Sequence, residues 1–423
     1  MFGGVAAAGP DRLVYVTFDG SVLTLDVETG RVVDQFTFFP SAPRRLHVSA
    51  CAVDADGSVL AADSESRRVR RFLPDGRPAG LYGACPNPGI RNQDQAGILD
   101  EPCGVVPLDD GILVCCGGAD IVHGVQRFDR AGAHVSSIRR RGHPRRGWKR
   151  AQGAALVEGA LWIAETEGHA IRIHDLDGHA LSDVEPPPGL RRPFRLADDG
   201  YEGVLLLAAP EDEEERDAPG VARLTRDGEC EGWAVAPGES PGQVSFPFDL
   251  AVLPDGRFVV ADLPLGAPPD VRLQLFAADG RLLRVLMEDV VDCTAAQRAY
   301  FESVIARDDG SARTLYEQAR VHHYYSGAGR AELEKARDLY VAALDRDSGN
   351  VLARVGLGSL LQGGLKELGG AEAEYRRAIA AGGDEADLLC RIAECRRERG
   401  DLDGAIGFLQ EALRLARPPE NFH

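Results

Sequence analysis

Arg195 and Asp249 are the residues of this chain that most invite chemistry, because each stands where a repeated strand pattern otherwise carries a small residue. The recurrent position reads Gly4, Ala50, Gly104, Gly153, Arg195 and Asp249. A guanidinium and a carboxylate in adjacent copies of one position could build a polar binding site, with Gln152, Phe194 and Phe248 beside it. They could equally form an ion pair that only joins two copies of the repeat. A second set is acidic: Asp63, Glu165 and Asp262 each end an apolar strand pattern. Three converging carboxylates would suit a hard cation with oxygen ligands. Each could instead satisfy the backbone of its own turn.

A third candidate is a basic joint. Residues 139–150 hold seven positive charges, including Arg139, Arg140, Arg141, Arg145, Arg146, Lys149 and Arg150, with Trp148 among them as an apolar anchor. On a chain of net charge −18 this segment suits an acidic protein surface, a nucleic acid, or the acidic run 211–217 of a second copy. It could also be a solvated connection. The strongly acidic balance argues against general nucleic-acid binding, which rests on neutralising phosphates. His322 and His323 resemble a metal tract, but neighbours on a helix point about 100° apart and do not share a face. Nine cysteines at irregular spacing, without a Cys-x-x-Cys pair, fit buried thiols in a reducing, cytoplasmic setting. No apolar run reaches the roughly 18 residues of a membrane span.

The elements that must position these residues are written into the sequence as a repeat. An apolar anchor, two spacers and an Asp-Gly-type turn recur at Leu25…Gly30, Phe72…Gly76, Phe128…Gly132, His174…Gly178, Leu224…Gly228 and Phe276…Gly280. The glycines lie roughly 46 to 56 residues apart, the period of a propeller blade rather than of a helical repeat. Period-2 apolar patterns between Gly and Pro breaks give four strands per unit. The units are approximately 1–40, 44–83, 99–142, 147–187, 190–237 and 243–289. Stacked radially, they bury both faces of each sheet, so the first 289 residues predict an all-β six-bladed propeller.

After Asp289 the period becomes helical. Ala336-x3-Tyr340-x2-Ala343, Ala371-x3-Tyr375-x2-Ala378 and Ala405-x3-Leu409-x2-Ala412 recur at a spacing of about 34 residues. The small residues let helices approach, with the aromatic or leucine wedged between them. This pattern resembles the tetratricopeptide (TPR) repeat, and the expected array holds about three copies. The strand units resemble the NHL repeat, through Pro102-Cys103-Gly104-Val105-Val106, Ala61-Ala62-Asp63 and Arg68-Val69-Arg70-Arg71-Phe72, and through Pro247-Phe248-Asp249-Leu250-Ala251 and Val260-Ala261-Asp262.

The expected organisation is multidomain: 1–289 an NHL-like β-propeller, 290–310 a linker helix, and 311–423 an all-α TPR helical-hairpin array. The resemblance implies binding platforms in the main, with a minority of related propellers acting as metal-dependent hydrolases or lyases. Those enzymes need a Glu, Asn and Asp set, and the only asparagines before Asp289 are Asn87 and Asn92. In the helical array, Leu352, Val355, Ser359, Gln362, Asp387, Cys390, Glu394 and Arg397 would line a groove that takes a helix or peptide with apolar and basic residues. No Ser/His/Asp set, phosphate loop, zinc spacing or dinucleotide fingerprint can be assembled. The expectation is a non-catalytic scaffold or adaptor in a larger protein complex, without cofactor or metal, with self-association open. The alternatives are a channel-based hydrolase, lyase or ligand sensor and an RNA-binding propeller.

Overall fold

At the outer hairpin of every strand unit, the turn glycine takes a φ between +70° (Gly30) and +89° (Gly132), a backbone that glycine adopts without steric cost. In the third unit the Gly132 N–H donates to the Asp129 carbonyl, and pairing shifts by one residue between Arg127 and Phe128. This is a turn closed by a glycine bulge, which suits the twist of an antiparallel hairpin. Space imposes a second requirement. A Cβ on Gly132 would run into the Leu81 carbonyl, and one on Gly280 into the Ala234 carbonyl. Both carbonyls belong to the outer strand of the preceding unit, so the repeated glycine is where successive units touch.

The structure, a computed structural model, describes residues 3–17, 20–37, 48–64, 66–83, 95–140, 147–186, 190–201, 203–209, 220–264, 271–287, 299–300, 302–324, 329–383 and 385–415. The chain divides into two compact units. The first holds six four-stranded antiparallel sheets, the six blades expected from the repeat. Their inner strands are Gly4–Ala7, Val48–Val53, Pro102–Leu108, Ala151–Val157, Arg192–Asp198 and Pro247–Val252. Each packs on the next and the last on the first, closing the ring.

Each blade's strands follow one another in sequence, and among the described residues no strand is exchanged between first and last blades. Side chains and backbone close the seam instead. Val5 N–H donates to Asp249 Oδ2 at 2.9 Å. Arg257 Nη1 pairs with Glu28 at 2.5 Å and Nη2 donates to the Pro10 carbonyl at 3.0 Å. Gly30 rests against Leu286 as Gly132, Gly178, Gly228 and Gly280 rest on the blades before them.

Apolar second strands explain the core. Gly111–Cys116 and Phe258–Asp262 are buried along their whole length, because both sheet faces meet a neighbouring blade. The anchors Leu25, Phe72, Phe128, His174, Leu224 and Phe276 are all buried. Register places the start of each inner strand, the end of the second, the start of the third and the end of the outer strand together at one end of the ring. In the fourth blade Ala151 pairs with Glu165, Glu165 with Ala170, and Ile171 with Val184. Connections at the opposite end, the turn end, are two to five residues long, whereas at this loop end they extend to the stretch 83–101. A two-stranded ribbon of Ala119–Ile121 with Trp148–Lys149 also belongs to the loop end. No repeat or periodicity in the sequence announces this ribbon.

The second unit is helical. It has helical residues at 299–300 and 302–306 and then α1 (Ala312–Tyr324), α2 (Arg330–Arg346), α3 (Val351–Ser359), a π-helical turn (Leu360–Gly364), α4 (Leu368–Ala380), α5 (Glu385–Glu398) and α6 (Leu402–Leu415). Asn350 caps α3 by accepting from the Ala353 N–H at 3.0 Å. The recurrent tyrosines act as the wedges that the spacing suggested. A Cβ on Gly356 would strike the Tyr340 ring and one on Gly358 the Tyr375 ring, at 2.6 Å each. Ala336, Ala343, Ala371 and Ala378 are fully buried around them. No helix among the described residues is long and apolar enough to cross a membrane.

Candidate functional site

Five inner strands begin with the same irregularity. Pairing shifts around Ser49, Cys103, Gln152, Phe194 and Phe248, so each is the extra residue of a β-bulge. A bulge bends the strand and re-aims the local backbone. Here it turns carbonyls of several blades toward one group.

That group is the Arg195 guanidinium. Nε donates to Asp249 Oδ1 at 3.1 Å, Nη1 to the Gln152 and Phe194 carbonyls at 2.8 and 3.0 Å, and Nη2 to the Ser49 carbonyl at 2.8 Å. These acceptors lie in blades six, four, five and two, so one side chain spans the ring. Four of the five N–H donors of an arginine are thereby occupied. The glycines at the same repeat position make room: a Cβ on Gly104 would lie 3.1 Å from the Gln152 carbonyl and one on Gly153 2.5 Å from the Phe194 carbonyl.

Asp249 is equally engaged. Oδ1 accepts from Arg195 and from the Leu250 N–H at 3.1 Å, and Oδ2 accepts from the Val5 N–H. Burial pushes its carboxyl up from the usual range, against the pull of Arg195 and the two backbone N–H groups. Gln152 contributes its main chain to Arg195, while its side chain accepts from Thr166 Oγ1 at 3.0 Å. The three residues named from sequence therefore do meet, through contacts in which backbone carbonyls outnumber side chains.

The three acidic strand ends are held within their own parts of the ring. Asp262 is fully buried and pairs with Arg272, with contacts of 3.1 and 2.8 Å, while the same guanidinium reaches the Glu239 and Gln243 carbonyls. Glu165, also fully buried, accepts from the Lys149 N–H at 3.0 Å and from Arg172 Nε at 2.9 Å, and forms ion pairs with Arg172 Nη2 at 2.8 Å and with Arg140. Asp63 accepts from the Ser66 N–H of its own turn at 3.3 Å. Glu165 and Asp262 already carry the cations that a metal would replace.

Glu165 also changes the picture of the basic joint. Arg140 points inward to it, with a side chain only 9% exposed. Trp148 is not the exposed anchor expected from sequence. It is fully buried, donates from Nε1 to the Ile138 carbonyl at 2.9 Å, and packs beside His174. The ribbon pairing of Trp148 with Ile121 draws it in. Arg139 and Lys149 are exposed, and Arg150 is half-buried and paired with Glu167 at 3.0 Å. Arg141, Arg145, Arg146 and the acidic run 211–217 lie outside the described residues.

In the helical array, Leu352 and Val355 are half-buried and pack against the core, while Glu394, Arg397 and Cys390 are exposed. Ser359 departs from the groove expected of it. It is buried, 3.4 Å from Tyr375 Oη, which also donates to Gln362 at 3.0 Å. Gln362 in turn donates to Glu398, and Asp387 pairs with Arg391 at 2.8 Å. His322 contacts Glu332 at 2.6 Å, whereas His323 contacts Tyr340 at 3.3 Å. Burial holds the His323 imidazole down at about 4. One grouping escaped the sequence reading: Asp175, Asp177 and His179 gather ligand-type atoms within 4.8 Å on an outer turn. Asp175 there pairs with His179 at 2.9 Å and accepts its N–H at 2.7 Å, contacts that shape the turn itself.

No protein-family model and no curated protein matches the chain. Solved structures similar to it are propellers at low identity. A streptogramin B lyase is 13% identical with a TM-score of 0.45, covering 66% of this chain and 81% of its own. A protein of unknown function from Bacteroides caccae is 16% identical with a TM-score of 0.47, covering 67% and 96%. U3-55K is 14% identical with a TM-score of 0.43, covering 67% and 80%. At these values the likeness concerns the fold, and the chemistry of those proteins does not transfer.

Proposed function

We propose that this protein is a non-catalytic interaction scaffold, an NHL-like propeller joined to a TPR-like helical array, whose surfaces each hold a protein partner as part of a larger cytoplasmic complex. One observation carries the reading. At the loop end of the ring, the Arg195 guanidinium is bound to oxygens of four blades, and its charge is met by Asp249. A catalytic channel needs polar groups that are free to meet a substrate. Here the most suggestive pair is consumed by the ring.

What remains for recognition is surface. The loop end carries the long connections and the exposed cations Arg139 and Lys149, and the array carries exposed Glu394 and Arg397 beside apolar residues. Surfaces of this kind, displayed on rigid repeats, suit protein contacts. Affinity capture with the full chain from its own cell extract tests the reading. A defined partner should be retained, and Arg139→Glu with Lys149→Glu should weaken retention on the propeller side. A well-folded bait that retains nothing counts against the scaffold.

A further inference from the structure

The last helix of the array carries an apolar face that nothing among the described residues covers. On one side of α6, Ala405 and Ala412 are buried and Phe408 packs against the helical core. Around the helix, Leu402, Ile406 and Leu409 are 60%, 52% and 49% exposed. Their spacing of four and three places them on one stripe, which Leu413 continues.

The internal repeat shows what such a face is built to meet. Leu409 occupies the position of Tyr340 and Tyr375, both fully buried. Tyr340 on α2 is covered by the following helix, α3, where Gly356 leaves room for its ring. The equivalent cover over Leu409 is a helix.

Charge selects which helix. Asp403 stands in the first turn of α6 and Arg414 in the last. At about 100° per residue they fall within about 20° of each other, on the solvent-side flank of the stripe. Arg414 is 73% exposed and, among the described residues, has one long ion-pair contact, 3.8 Å, to Glu411. Two copies of α6 laid antiparallel across a two-fold axis set Asp403 of each against Arg414 of the other and oppose their dipoles. The apolar stripes then meet between the two charge pairs. We propose that this face is a self-association surface whose occupant is α6 of a second copy. This deepens the scaffold reading and rests on it, since it assigns one array surface to the chain itself.

Sedimentation equilibrium of the full chain tests the proposal. The wild type is expected to pass from monomer to dimer as concentration rises, and Ile406→Glu or Leu409→Glu to raise the dissociation constant more than about tenfold. Both residues are exposed, so unchanged helical circular dichroism verifies folding. Asp403→Arg and Arg414→Asp should each weaken association, and mixing the two variants should restore it as a one-to-one heterodimer. A chain that stays monomeric at every concentration overturns the proposal, as does a dimer that survives Ile406→Glu. If the mixture fails to rescue, the antiparallel arrangement is wrong. A monomer that still captures another protein leaves the scaffold reading standing, whereas a monomer that captures nothing removes both.

Discussion

The two ends of the ring are built from the same six blades and follow different rules. At the turn end every connection has two to five residues. Arginines there tie turns to acids of the same or the preceding blade: Arg71 to Asp54 at 2.9 Å, Arg127 to Asp110 at 2.5 Å, Arg130 to Asp54 at 3.3 Å. At the loop end the connections lengthen, an extra ribbon appears, and the repeat is broken by Arg195 and Asp249. The turn end shows how the ring is specified by repetition. The loop end shows where one ring can differ from another without losing closure, because Arg195 and the bulge carbonyls hold the inner strands together beneath the variable loops.

The largest effect expected from breaking this contrast comes from Asp249→Ala. It removes the counter-charge of a part-buried guanidinium and the acceptor of the Val5 N–H, so a loss of about 3 kcal/mol is expected in denaturant unfolding. Asp175→Ala, on an exposed outer turn at the turn end, should cost far less, because its pair with His179 is screened by solvent. Equal costs at the two sites would erase the distinction. Next comes the blade contact at the turn glycines. Gly280→Ala meets both a positive φ and the Ala234 carbonyl, whereas Gly200→Ala meets the φ alone, with nothing within 4 Å. The second should cost about 1–2 kcal/mol and the first clearly more, as thermal unfolding of the two variants would show.

A smaller effect sharpens the role of the anchor in the fourth blade. His174 is buried where five blades use Leu or Phe, its Nδ1 faces the Gly178 carbonyl, and its Nε2 has no hydrogen-bond partner among the described residues. Burial lowers its pKa below the usual 6.5. The unfolded chain therefore takes up a proton first as pH falls, so this contribution to stability is complete above 6.5 and is lost as pH drops through and below that value. His174→Phe should flatten the acid side of the stability profile near pH 6. A profile identical to wild type would mean that the ring titrates normally.

Much of this was legible in the residues. Six Asp-Gly-type turns gave the blade number, and two charges at a glycine position pointed to the place where the ring is locked. The lock itself could not be read. Its acceptors are mainly the carbonyls of Ser49, Gln152 and Phe194, and a carbonyl has no residue type. They converge because of bulges, which depend on backbone register. The burial of Trp148 was hidden for a related reason, since it depends on pairing between segments some thirty residues apart. In the helical unit, the Ala-Tyr-Ala spacing conveyed the wedges and their packing. The hydrogen bonds of Ser359 and Gln362 to Tyr375 lie at a π-helical turn that no local pattern announces.

Asp249 at the loop end is answered by Arg195, which supplies the positive charge that a metal would otherwise bring. Elemental analysis of the purified full chain, with Asp249→Asn alongside, tests this most directly. The expected result is no stoichiometric divalent metal in either protein. One equivalent of divalent metal in the wild type, lost in Asp249→Asn, would contradict it.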